Sequence, residues 1–120
     1  DEPYQASFVA SAPLKLPKID NKNLMVEQDY NLTFAKIDTI FQIGMSKGLD
    51  SLVLGAYGCG SYKNPPLQII EIFNKCLEKW KYSFKFIIFS IPSLERMYKE
   101  NEEIKYNFCN FKLFKSYIKV

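Results

Sequence analysis

The sequence predicts an α/β domain of three layers built on a mainly parallel sheet. Two observations carry that prediction. Short apolar runs of strand length alternate along the chain with stretches whose apolar residues recur at helical spacing. One junction, Ser51 to Trp80, reads in succession as a buried strand, a glycine-rich loop and a helix. At 120 residues there is room for one domain, whole or partial, with a real core, and not for two.

In chain order, Tyr4 to Ala12 (YQASFVASA) is apolar and small enough for a strand, and Pro13 ends it. The small residues Ala10-Ser11-Ala12-Pro13 suit either a close backbone approach to a ligand or tight packing against a helix. Leu14 to Asn23 is a loop longer than the usual connection, read as mobile or as the cover of a site. A helix follows from Val26 or Asp29 to Lys47. Tyr30, Phe34, Ile37, Phe41 and Met45 form its stripe, Ile40 and Gly44 widen it, and Gly48 stands at the C′ position.

Leu52-Val53-Leu54 is short, apolar and bounded by glycine, which suits a strand covered on both faces. Gly55, Gly58 and Gly60 let the backbone turn sharply. Asn64 is a capping side chain for the next helix, and Pro65-Pro66 fit its first turn. Ile69, Ile70, Phe73, Cys76, Leu77 and Trp80 then place one apolar face on a core. Phe84 to Ile91 is the next strand, halted by Pro92. Ser93 caps a further helix over LERMYKENEE, whose Lys99 to Glu103 charge run is solvated. Asn107 to Lys119 is a last helix with Phe111, Phe114 and Ile118 inward.

Three strands leave two apolar sheet edges. Another segment, a second copy of the chain or a further N-terminal half is expected to cover one of them. The absent initiator Met, and an opening Asp1-Glu2-Pro3 that leads directly into a strand, suggest the later part of a longer polypeptide.

Composition narrows the function classes. Phe and Tyr supply most of an aromatic content of 16%, which is too rich for bulk disorder. A net charge of +3 on scattered lysines gives no footprint for direct nucleic-acid binding. No apolar run reaches the length of a membrane span, and there is no signal-peptide pattern at the start. Three cysteines without metal-ligand spacing indicate a reduced, intracellular protein, cytoplasmic or nuclear. With no histidine, the chain itself cannot build Ser-His-Asp or Cys-His catalysis or a His-ligated metal site. No cofactor is expected.

The glycine loop is where chemistry concentrates. Free backbone N–H groups beyond the carboxyl end of a buried strand, beside a helix N-terminus, attract phosphate. Gly58-Cys59-Gly60 is not the dinucleotide fingerprint, since Ser61-Tyr62-Lys63 follows with no third glycine. It is not the Walker loop either, because no Gly-Lys-Ser/Thr follows. A plain strand-to-helix turn is the alternative. Tyr62 suits a sugar face or an ordinary loop, and Lys63 suits phosphate or water. Cys59 has no histidine or carboxylate close in sequence to activate it, so its backbone N–H matters more than its sulfur.

Leu52-Val53-Leu54-Gly55-Ala56-Tyr57-Gly58-Cys59-Gly60-Ser61-Tyr62-Lys63-Asn64-Pro65-Pro66 resembles the hallmark of the microbial-type poly(ADP-ribose) glycohydrolases. That pattern is a strand ending in Leu-Gly-Ala-aromatic-Gly-Cys-Gly, a further aromatic, then Asn-Pro before a helix. Phe8-Val9-Ala10-Ser11-Ala12-Pro13 is similar to the family's preceding strand. Phe84 to Ile91 is similar to the strand after its helix, and Asn107-Phe108-Cys109-Asn110-Phe111 to its C-terminal asparagine and phenylalanine cluster. The resemblance spans most of the chain and implies a macrodomain fold lacking its N-terminal strands.

It also implies a partner, ADP-ribose or an ADP-ribosylated protein. The diphosphate would meet the backbone of Gly58, Cys59, Gly60 and Ser61; Tyr62 would lie near the distal ribose, and Phe89 would flank the adenine. One departure is large. The family's triple glycine followed by Gln-Glu-Glu has no counterpart here, and the nearest acids, Glu27, Asp29, Asp38 and Asp50, lie on the wrong segment. Cleaving a glycosidic bond needs a positioned carboxyl group. Three functions stay open: part of a longer glycohydrolase, a non-catalytic ADP-ribose or nucleotide-binding module, or a self-assembling structural remnant.

Overall fold

The computed structural model describes residues 3–93, 97–100, 103–106 and 109–119. These form a small α/β domain with three helices and a two-strand parallel sheet, plus a separate hairpin. Helix α1 runs Glu27–Ser46 and ends in two bonds that close its last turn: Gly48 N–H donates to Met45 O, and Leu49 N–H donates to Gly44 O. Gly48 makes this possible at φ +70.

Strand β1 (Ser51–Leu54) and strand β2 (Phe86–Phe89) pair in parallel, Ser51 opposite Phe86 through Leu54 opposite Phe89. Helix α2 (Pro66–Trp80) is the crossover between them and the centre of the core. Ile69, Ile72 and Cys76 are fully enclosed, and Ile70 and Phe73 nearly so. Each large apolar side chain sealed this way stabilises the fold by about 1.5–3 kcal/mol. Ile72 lies off the single apolar face expected from the sequence; α2 packs against both α1 and helix α3 (Asn110–Tyr117), so it buries more than one stripe. Phe73 meets Phe89 and Phe114 edge-on at ring separations of 5.0 and 6.1 Å, which ties α2, β2 and α3 together.

On α1 the enclosed residues are Thr33, Ile37, Phe41 and Gly44. Met45, expected on this stripe, is 42% exposed. Gly44 is close to the sheet: a Cβ there would sit 2.9 Å from Leu52 Cδ2 and 3.1 Å from the Phe84 ring. Across the helix pair, Asp38 accepts from Trp80 Nε1 and Lys79 Nζ, both at 2.8 Å.

Four expectations are corrected. Among the described residues Tyr4 to Ala12 has no strand partner. The arm is instead held at its far end, at Ser11 to Leu14, and leaves Tyr4 and Phe8 more than 90% exposed. Among the described residues Leu52-Val53-Leu54 is covered on one face only, where α1 approaches Leu52 at Gly44. Leu52 and Leu54 are buried, whereas Val53, Phe86 and Ile88 face outward. Asn64 does not cap α2; Pro65 occupies the cap position, and the asparagine side chain turns back to the preceding loop. The helix expected after Ser93 is replaced by strands β3 (Met97–Glu100) and β4 (Glu103–Tyr106), which pair antiparallel. Strand pairing there overrides weak helical patterning. The side chains of the Lys99 to Glu103 charge run, and Asn107 and Phe108, lie outside the described residues. The last helix is shorter than expected, with Phe114 buried and Phe111 and Ile118 half-buried.

Candidate functional site

The parallel pairing directs the carboxyl ends of β1 and β2 the same way, and the chain leaves β1 through Gly55 into the glycine loop. A turn forms first: Cys59 N–H donates to Ala56 O at 3.0 Å, with Tyr57 at φ +22 and Gly58 at φ +77. A second turn follows, Lys63 N–H donating to Gly60 O at 3.0 Å, and Lys63 itself sits at φ +57. Side chains are rarely tolerated at such φ values, so the loop holds its shape against local cost.

What holds it is a set of contacts from distant segments. Asn64 is 1% exposed, and its Nδ2 donates to Leu14 O at 2.7 Å and to Gly58 O at 3.0 Å. Its backbone N–H also donates to Gly58 O. Leu16 N–H donates to Tyr62 O at 2.9 Å, so the segment after Pro13 runs along the loop rather than away from it. Asn110, at the start of α3, donates from Nδ2 to Cys59 O at 3.2 Å. Ser11 Oγ and the Tyr57 hydroxyl share a 2.7 Å bond; burial pushes the Tyr57 phenol above its ordinary value, and the bond from Ser11 only partly offsets this.

This clasp decides which donors remain. Among the described residues, the backbone N–H groups of Gly58, Gly60, Ser61 and Tyr62 donate to no other group. Ser61 and Tyr62 are exposed, and Gly58 and Gly60 are half-exposed. Cys59 differs: its side chain is buried, and its N–H is spent on Ala56 O. The uncommitted donors therefore fall on either side of Cys59 and run on to Tyr62. A loop of this kind can accept an anion through backbone N–H groups alone.

Phe89 is the register partner of Leu54 and so lies at the loop's end of the sheet. Its ring contacts are with Phe73 and Phe114, at 5.0 and 5.8 Å, and it is half-buried. Three of the four acids nearest in sequence, Asp29, Asp38 and Asp50, are engaged elsewhere. Asp29 accepts from Lys18 N–H, Asp38 from Lys79 and Trp80, Asp50 from Ser51 and from the backbone before β2 through its own carbonyl, and Glu27 is exposed on α1. Among the described residues no group of three or more Cys, Asp or Glu side chains is placed to hold a metal ion.

The structural role of Asn64 and Asn110 is invisible to pattern reading, because a buried asparagine and a surface one look alike in sequence. Tyr57 was equally silent. A separate open groove of about 1220 Å³ lies between α2, α3 and β2, lined by Ile70, Leu77, Phe84, Ile87, Phe89 and Ile118 among others; no loop residue borders it. No helix among the described residues is long and apolar enough to cross a membrane. Compared with protein-family models, curated proteins and solved structures, the chain matches none.

Proposed function

We propose that the glycine loop recognises the diphosphate of ADP-ribose, and that the chain is the corresponding part of a poly(ADP-ribose) glycohydrolase-like macrodomain whose catalytic acid is not on these residues. The observation that carries the reading is the row of uncommitted N–H donors at Gly58, Gly60, Ser61 and Tyr62, kept in place by Asn64 and Asn110. Two phosphates need several donors close together, and four uncommitted N–H groups fall within the five residues Gly58 to Tyr62. Relative to the sequence reading, Cys59 contributes its small buried side chain and its carbonyl, not its N–H. Tyr62, exposed at the end of the row, is the aromatic available to a ribose. Phe89 flanks the adenine in this reading only by presenting the part of its ring left free by Phe73 and Phe114.

The engagement of Asp29, Asp38 and Asp50 in other contacts favours binding without turnover by this chain. Cleavage of an ADP-ribosyl bond, in a longer polypeptide, would draw its general acid from outside these 120 residues.

The test is calorimetric titration of the chain with ADP-ribose, with Gly60→Glu as control. The wild-type chain binds and the variant does not, because the added carboxylate fills and repels the anion site. A folded wild-type chain that takes up no ADP-ribose, or a variant that binds as well as wild type, refutes the proposal.

A further inference from the structure

A different part of the molecule is incomplete in a way that specifies what completes it. Phe86 and Ser90 direct their N–H groups at β1, donating to Asp50 O and Leu54 O, so by strand alternation Ile87 and Phe89 present theirs to the open side of β2. Among the described residues no strand pairs with that side. The edge carries none of the usual protections: β2 is Phe-Ile-Ile-Phe, without lysine, proline or a bulge. Alongside it lies the groove between β2, α2 and α3, whose floor is Ile70, Leu77, Phe84 and Ile118. An unpaired ladder above an apolar trough is the arrangement that accepts an added strand.

The chain also carries a strand-like segment that pairs with none of the described residues. Residues 3–10 form no backbone hydrogen bond with the other described residues, and Tyr4 and Phe8 are 91% and 93% exposed. Their alternation places Tyr4, Ala6, Phe8 and Ala10 on one side and Gln5, Ser7, Val9 and Ser11 on the other, so one face is wholly apolar and the other polar except at Val9. At about 3.3 Å per residue these eight residues reach roughly 26 Å, ample for a four-residue edge. Charge agrees as well. Residues 1–14 carry two acidic side chains, Asp1 and Glu2, and no basic one, while around the groove Lys75, Lys81 and Lys85 face Glu71, Glu78 and Asp50 and Lys119 adds a further positive charge.

We propose that two copies of the chain exchange their arms: residues 4–10 of each add as a strand to the open edge of β2 in the other, with Tyr4 and Phe8 entering the groove. Donor and acceptor lie on the same polypeptide, so one two-fold axis satisfies both at once and closes the assembly as a dimer. The glycine loop takes no part, but Phe89 is shared with the nucleotide reading: its ring lines the groove, so an arm seated there competes with the adenine placement proposed above.

Sedimentation velocity of the full chain over a range of concentrations tests it. The chain sediments as a dimer. Deleting residues 1–10, of which the described residues 3–10 lie outside the buried core, gives a folded monomer. Phe8→Asp weakens dimerisation about thirty-fold or more, the loss expected for a buried aromatic anchor. A synthetic peptide of residues 1–12, added in excess, converts the dimer to a one-to-one complex. Val53→Lys, on the outward face of the sheet away from the groove, leaves the dimer intact. A full chain that is monomeric throughout, a dimer that survives loss of the arm, or a dimer dissolved by Val53→Lys overturns the proposal.

Discussion

Two glycines with nearly the same backbone angle offer a controlled measurement of how tightly the loop is clasped. Gly48 has φ +70 and nothing within 4 Å of where a Cβ would be. Gly58 has φ +77, but a Cβ there would stand 2.5 Å from Asn64 Nδ2 and 2.7 Å from Pro13 Cβ. Alanine at position 48 therefore pays only the left-handed backbone cost, about 1–2 kcal/mol. Alanine at position 58 carries that cost and must also displace a proline ring and an amide already bonded to Leu14 O and Gly58 O. Overpacking adds about 1–3 kcal/mol, and displacing the amide loses about 0.5–1.5 kcal/mol per hydrogen bond. The expected loss for Gly58→Ala is thus about 3–8 kcal/mol, a large part of the roughly 5–15 kcal/mol that holds a domain folded. Urea unfolding followed by fluorescence of Trp80, the chain's one tryptophan, measures both variants. Losses equal to within about 0.5 kcal/mol would show that Pro13 and Asn64 yield freely, and the account of a rigid clasp would fail.

Asn64→Asp should test the same clasp by charge: a carboxylate oxygen replaces the donor facing two carbonyls, costing about 2–4 kcal/mol in urea unfolding and removing ADP-ribose uptake. Burial raises the Asp38 carboxyl, but the hydrogen bonds from Lys79 and Trp80 and the Lys79 charge outweigh it, and the group is held below its ordinary value. Its contribution is therefore present above the ordinary carboxylate range and lost as pH falls through the lowered folded value, so Asp38→Asn should be less stable at pH 7 and converge with wild type in acid melts. Burial pushes the Cys76 thiol up to about 12. In native protein at pH 8 only about one such thiol in ten thousand is ionised, so a thiol reagent should modify Cys76 at the rate of unfolding and not faster. Phe73→Ala should cost about 3–5 kcal/mol, as it opens the junction of α2, β2 and α3; a loss under about 1 kcal/mol would contradict the described packing.

Much of this was legible in the sequence because it rests on periodicity. The first two helices and the C′ glycine at position 48 were readable from spacing, since a 3.6-residue pattern reports which side of a helix meets the core; the two strands of the parallel pair were readable as short apolar runs, which give their existence but not which face is covered. Failures occur where a second element decides the outcome. Ile72 is enclosed because α2 is flanked on two sides, and no single stripe announces that. Tyr4 to Ala12 has strand composition, but a strand exists only with a partner, and composition cannot supply one. Met97 to Tyr106 mixes charges with a few apolar residues, so antiparallel pairing could prevail over a weak helical pattern. In the loop, the glycines announced a sharp turn. That Asn64 faces backward, and that Cys59 N–H is taken by Ala56, depend on contacts from residues 14 and 110, far away in sequence.

The position of α2 bears on how the chain reaches this state. A parallel pair cannot form by zipping from a turn: 31 residues separate Leu54 from Phe86, so β1 and β2 meet only after the chain between them has become compact. The ladder and α2 then open and close as one cooperative unit. Its amides should exchange with solvent only through the largest openings, while those of residues 3–10 in the free monomer exchange almost as in an unfolded peptide. Folding rate should accordingly respond to truncations at Ile69 and Phe73 and be indifferent to truncation of the arm, so the most strand-like opening segment of the sequence would be the last to acquire structure.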